Sequence, residues 1–147
     1  MERIAVFPGS FDPMTIGHLA LLRRAVPLFD KIIVAVGVNH KKGRYIDASE
    51  CVKRIRRATA RMKTVEVATY TSLTTDFCRE RGARFILRGI RTEADYLYES
   101  TIADINRLLD PDIETVLMMS EPRYATISSS MVRELMYFGK DVSKFIA

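Results

Sequence analysis

The sequence predicts an α/β fold: one domain built on a five-stranded parallel sheet with helices on both faces. Two observations carry this. Short apolar runs alternate along the 147 residues with stretches of helical spacing. The runs also lack the polar–apolar alternation of a half-exposed strand, as strands covered on both faces do. Parallel neighbours joined through helices require right-handed crossovers. No linker, repeat or low-complexity segment interrupts the pattern, so residues 1–147 read as a single domain.

The first strand is Arg3 to Phe7, followed by a turn-rich loop from Pro8 to Ile16. Leu19, Leu22, Ala25 and Val26 then recur at helical spacing. Lys31 to Val38 is a second buried strand, and Asp47-x-x-Glu50 has the spacing of a capping box opening a helix to about Met62. Val65 to Ala68 is the third strand. A short helix from about Ser72 to Arg81 stops at Gly82. Ala83 to Leu87 is the fourth strand, and Thr92 caps a long helix ending before Asp110-Pro111. Thr115 to Met119 is the fifth. Ser128 to Phe138 forms the next helix with Gly139 at its end, and Val142 to Ile146 adds one more turn.

Composition narrows the function. Hydrophobic residues make up 48% of the chain, which excludes disorder. No apolar run approaches the roughly 20 residues of a membrane helix, and Met1-Glu2-Arg3 leads straight into a strand, unlike a secretory signal. Cys51 and Cys78 lie in helical patterns without metal or disulfide spacing, so they read as buried thiols in a cytoplasmic protein. The net charge of +5 favours anionic partners. Its dispersion suits a small phosphorylated ligand better than nucleic acid.

In sheets of this kind ligands bind at the carboxyl ends of the strands. After strand one comes Gly9-Ser10-Phe11-Asp12-Pro13, then Gly17-His18 opening a helix whose free N–H groups and dipole attract phosphate. After strand two come Asn39, His40, Lys41 and Lys42. After strand four comes Arg88-Gly89-Ile90-Arg91, two guanidinium groups around a glycine. After strand five comes Tyr124 to Ser130, with three serines at a helix start. Any one of these could be a cap or a solvated charge. Together, on one edge of the sheet, they outline a polyanion site with no obvious nucleophile–base pair. Such a site promotes displacement at phosphorus by alignment and charge stabilisation.

These motifs resemble a known family. Thr15-Ile16-Gly17-His18 is similar to the (H/T)xGH signature of the nucleotidyltransferase superfamily. Arg88-Gly89-Ile90-Arg91 and Ile127-Ser128-Ser129-Ser130-x-Val132-Arg133-Glu134 narrow the resemblance to the phosphopantetheine adenylyltransferases, over nearly the whole chain. The resemblance implies a Rossmann-like domain, a homohexamer, magnesium as cofactor, and transfer of AMP from ATP to 4'-phosphopantetheine. Carried over residue by residue, it implies that Ser10 contacts both phosphates and that Phe11 lines the nucleotide site through its backbone. His18 acts on the α-phosphate. Gly89, Ile90, Arg91 and Glu99 hold ATP, together with Tyr124, Ala125, Thr126, Ile127, Ser128, Ser129 and Ser130. Thr74 and Arg88 hold phosphopantetheine, with a lysine of the Lys41-Lys42 pair. The family reads Asn-Pro-x-Lys-Lys where this chain reads Asn39-His40-Lys41-Lys42, one residue shorter, so the resemblance puts Lys41 with Ser10, His18 and Arg91 among the catalytic residues, with Lys42 as the alternative. Magnesium is expected on the ATP phosphates, not on side-chain ligands. The rivals are another small-molecule nucleotidyltransferase of the superfamily and a nucleotide-binding protein without activity.

Overall fold

The computed structural model describes all 147 residues. It has five parallel strands: β1 Ile4–Gly9, β2 Lys31–Gly37, β3 Val65–Tyr70, β4 Phe85–Ile90 and β5 Glu114–Met119. Between and after them lie helices α1 Ile16–Ala25, α2 Ala48–Ala58, α3 Thr74–Glu80, α4 Glu93–Leu109 and α5 Ser129–Tyr137. Short 3-10 turns follow α1 at Val26–Leu28 and β5 at Pro122–Tyr124.

Both faces of the sheet are covered. Val6, Ile33, Ala35 and Ile86 pack against Phe77 and Cys78 of α3. Ala5, Phe7, Ile32, Val34 and Leu87 point the other way, toward Leu21 and Leu22 of α1 and Val52 and Ile55 of α2. Every residue from Ile32 to Val36 is at most 1% exposed, which is why the run carries no polar alternation.

The strand order is β3-β2-β1-β4-β5. The chain grows outward from β1 in one direction and then returns to grow in the other, so the switch point lies between β1 and β4. There the sheet opens. β1 pairs with β2 from Ile4↔Lys31 to Gly9↔Val36, but with β4 only at Ala5↔Phe85 and Val6↔Ile86. Pro8 brings no N–H to a ladder. Its carbonyl accepts instead from Arg88 Nη1 at 2.5 Å.

Several boundaries differ from the sequence reading. β4 runs on to Ile90, so Arg88 and Gly89 are strand residues and alternate in direction. Arg88 shares the face of Ile86. A Cβ on Gly89 would come 3.1 Å from Leu21 on the opposite face. The Asp47 capping box does not form: the Asp47 carboxylate accepts from the Ser49 hydroxyl and leaves the helix N–H groups uncapped. α2 ends at Ala58, short of Met62, and Thr59 caps it, its N–H and its hydroxyl both donating to Ile55 O at 2.9 and 2.8 Å. The tail turns as expected at Val142, then ties to the loop after β1 through an antiparallel bridge, Thr15↔Ile146. Thr92 and Ser128 are N-caps as expected, and Gly82 and Gly139 end their helices at φ +68° and +72°. Both cysteines are buried and free, and no helix is long and apolar enough to cross a membrane.

Candidate functional site

Two cavities adjoin at the open switch point. The first, about 350 Å³, is lined by the loop after β1, the start of α1, the end of β4 and the start of α5. The second, about 960 Å³, runs from the ends of β1 and β2 toward α3 and α4. They share a wall made of Pro8, Gly9, Ser10, Arg88, Tyr98 and Glu99.

The loop after β1 owes its shape to side chains from elsewhere in the chain. Four consecutive carbonyls are each held by a different one. Ser10 O accepts from Arg44 Nη2 at 2.7 Å, Phe11 O from Cys51 Sγ at 3.0 Å, Asp12 O from Arg133 Nη1 at 2.8 Å and Pro13 O from Ser129 Oγ at 2.7 Å. The buried Asp12 carboxylate accepts the backbone N–H groups of Tyr45 and Ile46 at 2.9 and 2.7 Å. These ties hold Phe11 at φ +46°, a left-handed conformation that non-glycine residues seldom adopt. With its carbonyls tied back into the protein, the loop leaves the Phe11 N–H with no protein acceptor. That polarity suits an anion.

Thr15 caps α1, and His18 completes a reciprocal capping box: its Nδ1 accepts the Thr15 N–H at 2.9 Å while Thr15 Oγ1 accepts the His18 N–H. The bond assigns the neutral tautomer. Nδ1 is the acceptor, so the proton sits on Nε2. Burial, then the charges of Arg88 and Arg91, lower the His18 pKa to about 4. The ring is fixed edge-on against Phe11, with centroids 5.2 Å apart. At neutral pH His18 is therefore an uncharged, oriented N–H donor lining the first cavity.

Arg88 is held by Glu99 of α4 through two bonds, Nε–Oε2 at 2.9 Å and Nη2–Oε1 at 2.6 Å. Burial disfavours the guanidinium charge, but the Glu99 carboxylate outweighs it and raises the Arg88 pKa. With both oxygens on Arg88, Glu99 reaches a ligand through Arg88 rather than directly. Arg91 is pinned by Asp95, with its backbone N–H to Oδ2 at 2.9 Å and Nε to Oδ2 at 3.3 Å.

Each of the three serine hydroxyls at the start of α5 makes one hydrogen bond within the protein. Ser128 Oγ caps Met131 N–H at 3.1 Å, Ser129 Oγ holds Pro13 O, and Ser130 Oγ accepts from Arg133 Nη2 at 3.1 Å. Only Ser129 spends its O–H proton; Ser128 and Ser130 Oγ accept and keep an O–H to donate, so an anion finds those two hydroxyls and the helix end, where the Ser129 and Ser130 N–H groups have no protein acceptor.

The structure thus gathers Ser10, Phe11, His18, Gly89, Arg91 and Glu99 on the first cavity, with Tyr124 and Ile127 to Ser130. Ile90 ends β4 beside it, and Ala125 O lies 3.5 Å from Arg91 Nη1. Thr126 follows in the turn before Ile127. Ser10, Lys41, Lys42, Thr74 and Arg88 all line the second. Both lysines are exposed. The Thr74 hydroxyl meets Tyr70 Oη at 2.9 Å. Sequence reading gave no role to Asp12, Arg44, Cys51 or Arg133, whose side chains shape the loop. Asp12 and Arg133 stand inside the quoted motifs, and Arg44 is a third cation just past the lysine pair. Chemically, the arrangement binds a polyanion across two compartments. The Ser10 hydroxyl makes no hydrogen bond to a base, and no group of three or more His, Cys, Asp or Glu side chains could hold a metal ion.

The chain is similar in sequence and in fold to known proteins. Residues 6–135 match the cytidylyltransferase-like family model. A phosphopantetheine adenylyltransferase of Cytophaga hutchinsonii is 43% identical over 99% of this chain and 97% of its own. One from Phocaeicola vulgatus is 46% identical over 98% and 95%. In fold, the chain superposes on a bifunctional NMN adenylyltransferase/ADP ribose pyrophosphatase from Francisella tularensis with a TM-score of 0.75 at 17% identity, covering 99% of this chain and 45% of that one.

Proposed function

Because the chain belongs to the cytidylyltransferase-like family, and within it to the phosphopantetheine adenylyltransferases, we propose that its two cavities seat ATP and 4'-phosphopantetheine for a direct adenylyl transfer. The 4'-phosphate attacks the α-phosphorus of ATP in line. A new P–O bond forms as the bond to the β-phosphate oxygen breaks, and pyrophosphate leaves with that electron pair. The products are dephospho-coenzyme A and pyrophosphate. The observation that carries the reading is the shared wall: Ser10 and Arg88 face both compartments, where one phosphate must meet the other.

The roles follow from the chemistry of each group. The nucleophile is already an anion, so no general base is required. His18 Nε2–H donates to the α-phosphate oxygens as charge builds in the transition state. Being neutral, it adds no charge to hold the ground-state substrate. Arg91 and the open N–H groups of α5 take the outer phosphates of ATP, and Phe11 contributes its backbone N–H. Arg88, kept rigid by Glu99, orients the 4'-phosphate with one of Lys41 and Lys42, while Thr74 lines the pantetheine compartment. Magnesium enters as part of the substrate, carried by the ATP phosphates. The reaction is assigned to the cytoplasm, in keeping with two buried thiols. A homohexamer is the proposed assembly, and light scattering at micromolar protein tests it independently of the chemistry.

The direct test is pyrophosphate release with magnesium-ATP. It should require phosphopantetheine and fail with pantetheine, which lacks the nucleophile. Equal turnover with unphosphorylated pantetheine overturns the mechanism. Tight ATP binding without pyrophosphate release supports a nucleotide-binding protein instead.

A further inference from the structure

We propose that Arg44 is a positioning residue that couples the two substrate compartments, fixing the Lys41-Lys42 loop at a set distance from Ser10. The proposal rests on the adenylyl-transfer reading above. Arg44 forks across three backbone segments. Nη2 donates to Ser10 O in the loop after β1 at 2.7 Å, Nη1 to Gly37 O at the end of β2 at 3.2 Å, and Nε to Ile46 O beyond the lysine loop at 3.0 Å. Nη2 also reaches Cys51 Sγ at 3.2 Å, and Cys51 in turn holds Phe11 O. The loop after β1 answers with Asp12, whose carboxylate takes the N–H groups of Tyr45 and Ile46. Residues 44–46 are therefore strapped to residues 10–12 from both sides.

The lysine loop has little else to locate it. Its internal bonds are turn bonds, Lys41 N–H to Asn39 Oδ1 at 3.0 Å and Lys42 N–H to Asn39 O at 3.0 Å. Gly43, between the lysines and Arg44, would have nothing within 4 Å even if it carried a Cβ. On one side the loop hangs from β2, and on the other from Arg44. Ser10, Lys41 and Lys42 all line the second cavity, so one guanidinium sets the spacing between the shared wall and the lysine charges. Only a planar multi-donor group can span three carbonyls; an ammonium on a flexible stem makes a point contact.

The test is a double-mutant cycle on the full chain, with pyrophosphate release as the assay and KM measured separately for phosphopantetheine and ATP. A misplacement of about 1 Å can cost on the order of a hundredfold in rate. Arg44→Met should therefore lower kcat/KM for phosphopantetheine by about tenfold to a hundredfold, with a smaller change in KM for ATP, because the loop after β1 keeps its ties to Cys51, Arg133, Ser129 and residues 45–46. Arg44→Lys should recover part of this. In a Lys41→Met/Lys42→Met background the same Arg44→Met change should add less than about a twofold further loss, because the charges it positions are gone. Equal effects in both backgrounds, or equal loss toward ATP and phosphopantetheine, overturn the coupling and leave Arg44 a general structural residue. Wild-type kinetics in Arg44→Met overturn it too. A wild-type chain that releases no pyrophosphate removes the adenylyl-transfer reading and the coupling with it; an active wild type with additive variants removes the coupling alone.

Discussion

Replacing His18 with alanine should produce two losses of different kinds, and separating them tests the assignment. The catalytic loss comes from Nε2. Removing one preorganised donor from a site of developing charge typically costs about 10²–10³ in kcat, roughly 2.7–4 kcal/mol. The structural loss comes from Nδ1, which accepts the Thr15 N–H at 2.9 Å. Thr15 is 1% exposed, so without that acceptor its N–H is left buried and unpaired, at about 1–3 kcal/mol. In a chain of this size each kcal/mol lowers Tm by about 2–4 °C. His18→Gln separates the two, because glutamine is a regular partner at this position of a capping box. It should restore most of the Tm while kcat stays low, since its amide cannot both accept from Thr15 and place a donor where the ring edge was. Pyrophosphate release at saturating substrates gives kcat, ATP titration gives binding, and thermal unfolding gives stability. Near-normal kcat with a raised KM for ATP in His18→Ala would refute the reasoning and leave His18 a ground-state phosphate ligand.

Three further outcomes are expected. Since burial and two arginines lower the His18 pKa to about 4, its ring resonances should not titrate as pH falls from 8 to 5. The unfolded chain takes up that proton first, so His18 contributes stability that is full above about pH 6.5 and fades as pH drops toward 4; a ring titration midpoint above pH 6 contradicts this. Glu99→Ala leaves Arg88 partly buried without its carboxylate and should cost about 3–5 kcal/mol in thermal unfolding. Arg88→Met/Glu99→Leu should regain much of that stability yet remain inactive, and an active double variant would rule out Arg88 as a phosphopantetheine ligand. Lys41→Met and Lys42→Met should be unequal, one raising KM for phosphopantetheine and lowering kcat, the other nearly silent. If the double variant keeps normal kinetics, the loop after β2 takes no part.

What the sequence revealed and what it hid divide along physical lines. Strand–helix alternation was legible because burial on both faces makes the strands continuously apolar, as in Ile32 to Val36. The phosphate-facing clusters were legible because each is local: a glycine, a cation or a helix start within a few residues. Long-range partners were not. Glu99 gives no sign that it belongs to Arg88, eleven residues earlier on a strand. Asp47-x-x-Glu50 has the right spacing for a capping box, yet Ser49 takes the carboxylate. The reciprocal box that does form ends in a histidine, which the usual pattern does not anticipate. The serines at the start of α5 were legible as a helix end offering hydroxyl and backbone N–H donors; what was not legible is that Ser129 spends its hydroxyl on Pro13 O, 116 residues away.

The four tied carbonyls of the loop after β1 also bear on when the site comes into being. Two of the ties reach across 116 and 121 residues, from Ser129 and Arg133 of the last helix. A chain emerging from its N-terminus makes the loop almost first and secures it almost last. Until α5 docks, the strands can pair while Asp12 O and Pro13 O still lack their donors, and the loop is held only by Arg44, Cys51 and the bonds of the Asp12 carboxylate. Half of the carbonyl ties that shape this loop therefore wait on the last helix. A ligand that binds the completed loop more tightly than the open one favours the docked helix and stabilises the chain by mass action.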